Sequence, residues 1–305
     1  MRGRGGTGAG SPMGRMLACA MGLALLVPAA TLQAGGPDRP SAPVVDNGNV
    51  AAAEAGLTMV TFNLHHDRED WPARRRTILA ELLRLQPDAI ALQEVIQKRN
   101  VRNQAEWLAT RLGYTYLFVS TDPLGVTKRY GNALLTRRPV LARTQRLLRP
   151  LEDFRTVAHL RIDIDGRPVN VYATHLNERS DDSGARIRRI QVEDLLRFVT
   201  ATSGGEPVVI AGDFNALVDA GDLSELRSRY GDSYGSVHVN NDLDTVSTLN
   251  SHYYQVPSRI DHIFFQQDAM VAREAQLLFD TPDEGGRWAS DHYGVWTRLQ
   301  FAPAR

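Results

Sequence analysis

The sequence predicts a mixed α/β fold, on three observations. Short apolar, β-branched runs recur along the chain, each the length of one buried strand: Met59 to Phe62, Ala89 to Gln93, Val169 to Thr174 and Pro207 to Gly212. Some of these runs are joined by turn residues and others by stretches of helical period, so strands pair both in hairpins and across helices. Each of the four runs also ends in a single amide, carboxylate or imidazole, namely Asn63, Glu94, His175 and Asp213.

In chain order, Leu57 to Phe62 reads as the first core strand. Asp70 to Leu85 carries Ile78, Leu82 and Leu85 at helical spacing, with Asp70 as N-cap and Pro72 in the first turn. Pro87-Asp88 breaks that helix, and Ala89 to Gln93 is the second strand. Asn103 to Leu112 is a helix ended by Gly113, Tyr114 to Val119 a strand, and Ser120 to Arg129 a polar loop. Strands follow at Asn132 to Leu135 and Ala158 to Ile164. Asp165-Gly166 tolerates positive φ and turns the chain into Val169 to Thr174. Asp182 to Thr200, with Ile187, Ile190, Leu195 and Phe198, is helical. Val208 to Ala211, Ile260 to Phe265, Ala275 to Phe279 and Val295 to Leu299 complete the strands.

No linker-like stretch or internal repeat divides the patterned region, so one domain is expected over 57–305. The first 34 residues differ. Arg2, Arg4 and Arg15 precede an apolar run from Met16 to Ala30, and Ala34, Gly35 and Gly36 follow. A basic start, a short apolar run and a small-residue exit are the pattern of an export signal, and the run is short of the roughly 20 residues of a membrane-spanning helix. Residues 35–56, rich in Pro, Gly and Ala, read as a tether. The expectation is therefore a periplasmic or secreted protein. Cys19 lies inside the apolar run and is the only cysteine, so disulfides would not hold the exported chain. After residue 34 the chain has 32 basic and 35 acidic residues, a net charge of −3. That balance argues against a strongly basic, high-affinity nucleic-acid surface. Arg137-Arg138 and Arg186, Arg188 and Arg189 could still form a local basic rim, although such runs are more often solvated faces.

Carboxylates, amides and imidazoles gathered at one sheet edge suit a hard divalent cation and a phosphate. Glu94, ending an apolar strand, is costly to bury alone and is the leading metal ligand; a salt bridge to Lys98 or Arg99 is its structural alternative. Gly212-Asp213-Phe214-Asn215 would put Asp213 and Asn215 on one side and Phe214 on the other, although the same string is turn-forming. His65 and His66 could face substrate, but such a pair is more often a solvated loop, and both stay outside the expected site.

Seven strings together carry a resemblance: Thr61-Phe62-Asn63, Leu92-Gln93-Glu94-Val95, Gly131 to Leu135, Thr174-His175-Leu176, Gly212 to Asn215, Arg259 to Ile263, and Ser290-Asp291-His292. In this order they resemble the endonuclease/exonuclease/phosphatase superfamily. The resemblance implies a four-layer sandwich of two stacked mixed β-sheets flanked by helices, with the site at one end. It implies metal-dependent phosphoester hydrolysis, with Mg2+ or alternatively Mn2+ as cofactor. Asn63, Glu94 and Asp291 would serve the metal, Asp213 would be general base, and Asn215, His175 and His292 would stabilise the phosphoryl group. Asp261 would orient His292, while Asn132 and Arg155 would line the phosphate site. The substrate stays open between nucleic acid, a phospholipid or sphingolipid, an inositol or sugar phosphate, and a glycolipid anchor. A catalytically dead binding module is the contrasting class, and nothing indicates an obligate protein partner. His252 to Val256 is the one candidate for an apolar, lipid-facing hairpin.

Overall fold

A computed structural model describes residues 55–239 and 245–303. The expected export signal, Cys19 and all but the last two tether residues lie outside that range. In chain order the elements are β1 (Gly56–Asn63), α1 (Trp71–Leu85), β2 (Ala89–Gln97), α2 (Gln104–Leu112), β3 (Thr115–Ser120), β4 (Arg129–Thr136) and β5 (Val140–Leu147). They continue with β6 (Thr156–Ile164), β7 (Arg167–His175), α3 (Asp182–Thr202), β8 (Val208–Asp213), α4 (Ser224–Arg227), β9 (Gly231–Asp232) and α5 (Ser233–Val237). Last come β10 (Asp261–Phe265), β11 (Met270–Leu278) and β12 (Gly294–Phe301).

The strands form two six-stranded mixed sheets, ordered β11-β12-β1-β2-β4-β3 and β5-β6-β7-β8-β10-β9. Leu57, Met59, Ala91 and Leu134 from the first sheet pack with Ala158, Val171, Val209 and Ile263 from the second. On the far face of the first sheet, Val60, Phe62 and Ile90 meet Ile78 and Leu82 of α1 and Leu108 of α2. Beyond the second, Tyr172, Ile210 and Phe264 meet Val192, Leu195 and Val199 of α3. The alternation of the central strands thus feeds two cores at once, which makes the four layers. No helix among the described residues is long and apolar enough to cross a bilayer.

Local signals set the element ends. Asp70 Oδ1 accepts from Ala73 N at 3.1 Å, Asn103 Oδ1 from Glu106 N at 3.1 Å, and Asp181 Oδ1 from Gly184 N at 2.9 Å. Gly113 closes α2 at φ 73°. Asp165 and Gly166 both take positive φ (53° and 86°) between β6 and β7. Strand β5 escapes the sequence reading because it is a largely exposed edge whose Arg143, Gln145 and Arg146 break any apolar alternation. Ile190 is exposed, so α3 buries a face shifted toward Val192, Leu196 and Val199.

Of the arginines that could form a basic rim, Arg186 and Arg189 are exposed, as a solvated face would have them, while Arg137, Arg138 and Arg188 are ion-paired. Asp88, at the start of β2, accepts from Thr58 N and Oγ1 (both 2.8 Å), Arg137 Nη2 (2.8 Å) and Arg138 Nε (2.6 Å). Arg137 and Arg138 therefore staple strand ends, and Arg188 is buried on Asp222 at 2.5 Å. Burial raises the Asp88 pKa, but the Thr58 and Arg138 bonds outweigh it and leave the carboxyl below its usual value. Asp88→Asn should lower the unfolding free energy by about 2 kcal/mol, short of a fully buried pair because both arginines are partly solvated. A folded pKa below the unfolded one stabilises above the unfolded value and loses that stabilisation as pH falls through the folded one. Urea denaturation should show the full gap at pH 7 and a shrinking one below about pH 4.

Candidate active site

Parallel pairing of β1 with β2, and of β7 with β8, sends the chain-forward ends of four strands to one edge of the sandwich. Asn63 and Glu94 arrive from the first sheet, His175 and Asp213 from the second. Asp213 lies in register with His175 on one side and with Asp261 of antiparallel β10 on the other. Gly212 is required here, because any Cβ would collide with the Thr174 carbonyl of β7. Asn63 Nδ2 donates to Asp213 Oδ2 at 3.0 Å and so links the two sheets. His292 precedes β12 and sits with Nδ1 2.8 Å from Asp261 Oδ2 and Nε2 3.8 Å from Asp213 Oδ2. His175 Nε2 is 3.4 Å from the same Asp213 oxygen.

These side chains are buried, so their charges are set by each other. Asp213 has a raised pKa: burial is the main cause and the nearby Asp261 charge the second, partly offset by His292 and the bonds from Asn63 and Asn215. Burial disfavours the His292 cation, but Asp261, then Asp213 and Asp291, outweigh it and raise its pKa to about 10. His175 moves the other way. Burial, with Arg155 beside it, lowers its pKa well below the usual value, and its Nδ1 has no hydrogen-bond partner among the described residues. Of the two phosphate-facing histidines that the resemblance implies, only His292 has surroundings that favour its cation.

Glu94 occupies a bulge between Leu92 and Val95 of β2 and takes φ 56°. Its side chain is 19% exposed, and Oε2 lies 2.9 Å from His66 Nε2. Burial raises its pKa, but the hydrogen bond from His66 and the surrounding imidazoles overcome this and bring it to about 2. Lys98, the expected salt-bridge alternative, instead bonds Asp67 at 2.7 Å. The solvated-loop reading of His65 and His66 is thus corrected: His66 reaches Glu94, and His65 Nδ1 lies 3.4 Å from Asp291 Oδ1. Asp291 Oδ2 accepts from Tyr254 Oη at 3.0 Å. Asp291 is therefore engaged with His65 and Tyr254, while Asn63 Oδ1 accepts from His65 N at 3.0 Å.

A divalent cation fits these donors. Glu94 is a hard oxygen donor, ionised above about pH 2, whose backbone strain aims it at the shared edge. Asp213, Asp261 and His292 also bring ligand atoms within 4.8 Å of one another. However, the 2.8 Å bond between His292 and Asp261 already joins two members of that group, which makes it an acid–base cluster first.

The remaining expected residues divide. Asn215 takes φ 51°; its N donates to Asp213 Oδ1 at 3.0 Å and its Nδ2 to Leu176 O at 3.1 Å, so the turn-forming property of the string and its place at the site coexist. Arg155 is ion-paired with Glu178, and its Nε lies 3.6 Å from Asp153 Oδ2, an ion pair without a hydrogen bond. Asn132 Nδ2 donates to Thr156 O and Oγ1 at 3.2 and 3.1 Å, a second tie between the sheets. The suspected apolar hairpin is tethered by its tyrosines, with Tyr253 Oη on Glu69 at 2.8 Å and Tyr254 on Asp291.

The model of the Endonuclease/Exonuclease/phosphatase family matches residues 60–292. The chain belongs to that family. Nocturnin of Drosophila melanogaster is 32% identical over 186 residues, covering 53% of this chain and 28% of its own length. Tyrosyl-DNA phosphodiesterase 2 of Gallus gallus is 24% identical over 262 residues, covering 80% and 67%. The chain thus spans little more than a quarter of the length of that nocturnin. A crystal structure of D. rerio TDP2 complexed with single strand DNA product superimposes with a TM-score of 0.66 at 18% identity, covering 80% of this chain and 98% of that one. At that identity the likeness concerns the fold, the two-sheet sandwich. The family match runs from β1 to His292 and so encloses every candidate residue described above.

The His292 cation depends on Asp261, so Asp261→Asn should bring the imidazole pKa down by about 1–3 units, the shift expected on removing a nearby countercharge. Long-range 1H–15N NMR of the histidine rings, in chelator, reads this directly: His292 should stay protonated at pH 8 in the unmodified protein and lose its proton at a distinctly lower pH in the variant. An unchanged titration would mean that Asp261 does not hold the proton.

Proposed function

We propose that this chain hydrolyses phosphodiesters by metal-assisted attack of water. Asp213 carries the reading: it is buried, its pKa is raised toward the range where a general base works, and His175, His292 and Asn63 surround it. In this mechanism Asp213 accepts the proton of the attacking water. His292, kept cationic by Asp261, faces the phosphoryl oxygens as they gather negative charge. The Asn215 amide and neutral His175 offer further hydrogen bonds, and Arg155 can exchange exposed Glu178 for a phosphate oxygen. A divalent cation on Glu94 would supply Lewis-acid polarisation of the phosphate. Magnesium and manganese are the candidate cations, with Asn63 and Asp291 in supporting places.

Nucleic acid is the substrate class we favour. Support comes from the family and from the fold shared with a TDP2 that holds a single strand DNA product. The net charge of −3 after residue 34 favours weak, fast-exchanging binding over a tight complex. Export to the periplasm or medium is part of this proposal, on the strength of residues 1–34, and sequencing the mature N-terminus tests it.

Supercoiled plasmid, incubated with the protein and magnesium, should be nicked, and chelator should stop the nicking. Asp213→Ala should slow the reaction by about 1,000-fold, the scale of a lost general base, while circular dichroism stays unchanged. Glu94→Gln should slow it comparably and shift the magnesium dependence to higher concentration. Nicking by Asp213→Ala at the unmodified rate would end the general-base assignment. Turnover of a phospholipid diester in place of DNA would move the substrate class.

A further inference from the structure

His66 bears on the same site in a way that neither the family nor the mechanism above assigns. Its Nε2 lies 2.9 Å from Glu94 Oε2. Two neighbouring ligands on an octahedral cation, each about 2.1 Å from it, stand about 3.0 Å apart. The pair is thus spaced like one edge of a coordination octahedron. Both residues reach this spacing from left-handed backbone, His66 at φ 49° and Glu94 at φ 56°. Non-glycine residues seldom adopt that region without compensation from their surroundings.

The compensation is built into the frame. Gln104, fully buried, donates from Nε2 to His66 O at 2.7 Å and accepts at Oε1 from Ile96 N at 2.8 Å, just past the Glu94 bulge. One amide therefore fixes the two backbones relative to each other. Arg74, also buried, donates to Leu64 O (2.9 Å), His66 O (3.1 Å), Arg68 O (3.1 Å) and Ala289 O (2.6 Å). Tyr130 stacks on the His66 ring at 5.0 Å between centroids. An imidazole whose backbone is fixed by Gln104 and Arg74, whose ring stacks on Tyr130 and which is turned onto a carboxylate is a preorganised donor. His65, its neighbour, faces Asp291 and is not part of that edge.

We propose that His66 is a nitrogen ligand of the cation held on Glu94, so that the site takes first-row transition metals such as Mn2+ in preference to Mg2+. Magnesium favours all-oxygen surroundings, whereas imidazole strengthens binding of the later divalent metals. The inference rests on the metal-assisted reading of this site.

Pulsed EPR (electron spin-echo envelope modulation) of Mn2+ bound to the full chain reads ligand nitrogen directly, without any assay of activity. The unmodified protein and His65→Gln should both show the coupling of a coordinated histidine 14N, and His66→Gln should lose it. Mn2+ should bind His66→Gln at least about tenfold more weakly, while Mg2+ affinity changes less. Labelling the protein with 15N-histidine must convert the coupling to that of 15N, which tests ligation without any substitution. Bound Mn2+ with no nitrogen coupling, or coupling that persists in folded His66→Gln, would overturn the proposal and leave the metal-assisted reading standing. Mn2+ and Mg2+ binding indifferent to Glu94→Gln would overturn both.

Discussion

The hydrogen bond from Asn63 to Asp213 is the contact on which the site depends. Asp213 is a carboxylate buried between two sheets, and an unpaired charge there would cost several kcal/mol. Its donor comes from the opposite sheet, so the anion is tolerated only while the two sheets meet at this end. Asn132 makes a second tie, from β4 to Thr156 at the start of β6. Ser290 Oγ donates to Asn63 O at 2.7 Å, fastening the His292 loop to the same strand end. A sandwich with its chemistry at one edge is what these bonds require. Parallel β1/β2 and β7/β8 pairing delivers the four strand ends, and the buried anion holds them together.

Within that edge the two sheets supply different electrostatics. The second contributes the carboxylates Asp213 and Asp261; His292 reaches them from the lead-in to β12 of the first sheet, and Asp261 keeps its proton there and leaves Asp213 as the basic member. From β2 of the first sheet comes Glu94, whose side chain meets the His66 imidazole and is partly exposed to solvent. Backbone strain follows the same division of purpose. Positive φ at Gln86, Asp165 and Gly113 closes helices and turns, whereas His65, His66, Glu94 and Asn215 take it beside the chemistry. Each such non-glycine residue costs on the order of 1–3 kcal/mol, and the Arg74 and Gln104 bonds are the visible compensation.

Much of this was legible from residue pattern. Buried strands announce themselves by apolar runs, and their ends by the single polar residue that follows, so Asn63, Glu94, His175 and Asp213 could be placed on one edge before any coordinates. The cap at Asp70 and the helix stop at Gly113 were equally plain. What escaped depends on tertiary pairing. Edge strand β5 has no apolar alternation because most of it faces solvent. The Arg137-Arg138 pair reads as a rim until Asp88 is seen between the strand ends it staples. His65 and His66 resemble a polar loop because their role comes from left-handed φ values and from Gln104, 38 positions away from His66. Their position directly after a strand-end Asn was the available signal. The neutral state of His175 could not be read either, since it follows from burial and from Arg155.

Strand β2 shows how a charge held for stability differs from one held for chemistry. At its start, Asp88 has both oxygens filled, by a threonine and two arginines, and nothing there remains for a ligand. Toward its far end, Glu94 has one imidazole contact, and that group can leave or share a cation. The arginines divide in the same way. Arg74 spends its donors on carbonyls and fixes a loop, while Arg155 leaves Nε without a hydrogen bond and pairs with a carboxylate that is 65% exposed. Saturated polar groups fix the frame. Buried atoms without a hydrogen-bond partner occur elsewhere among the described residues, at Arg75, His159, Asp163 and Asp232, so what singles out the site edge is that three such atoms, Arg155 Nε, His175 Nδ1 and Asp261 Oδ1, stand beside the acids Glu94 and Asp213.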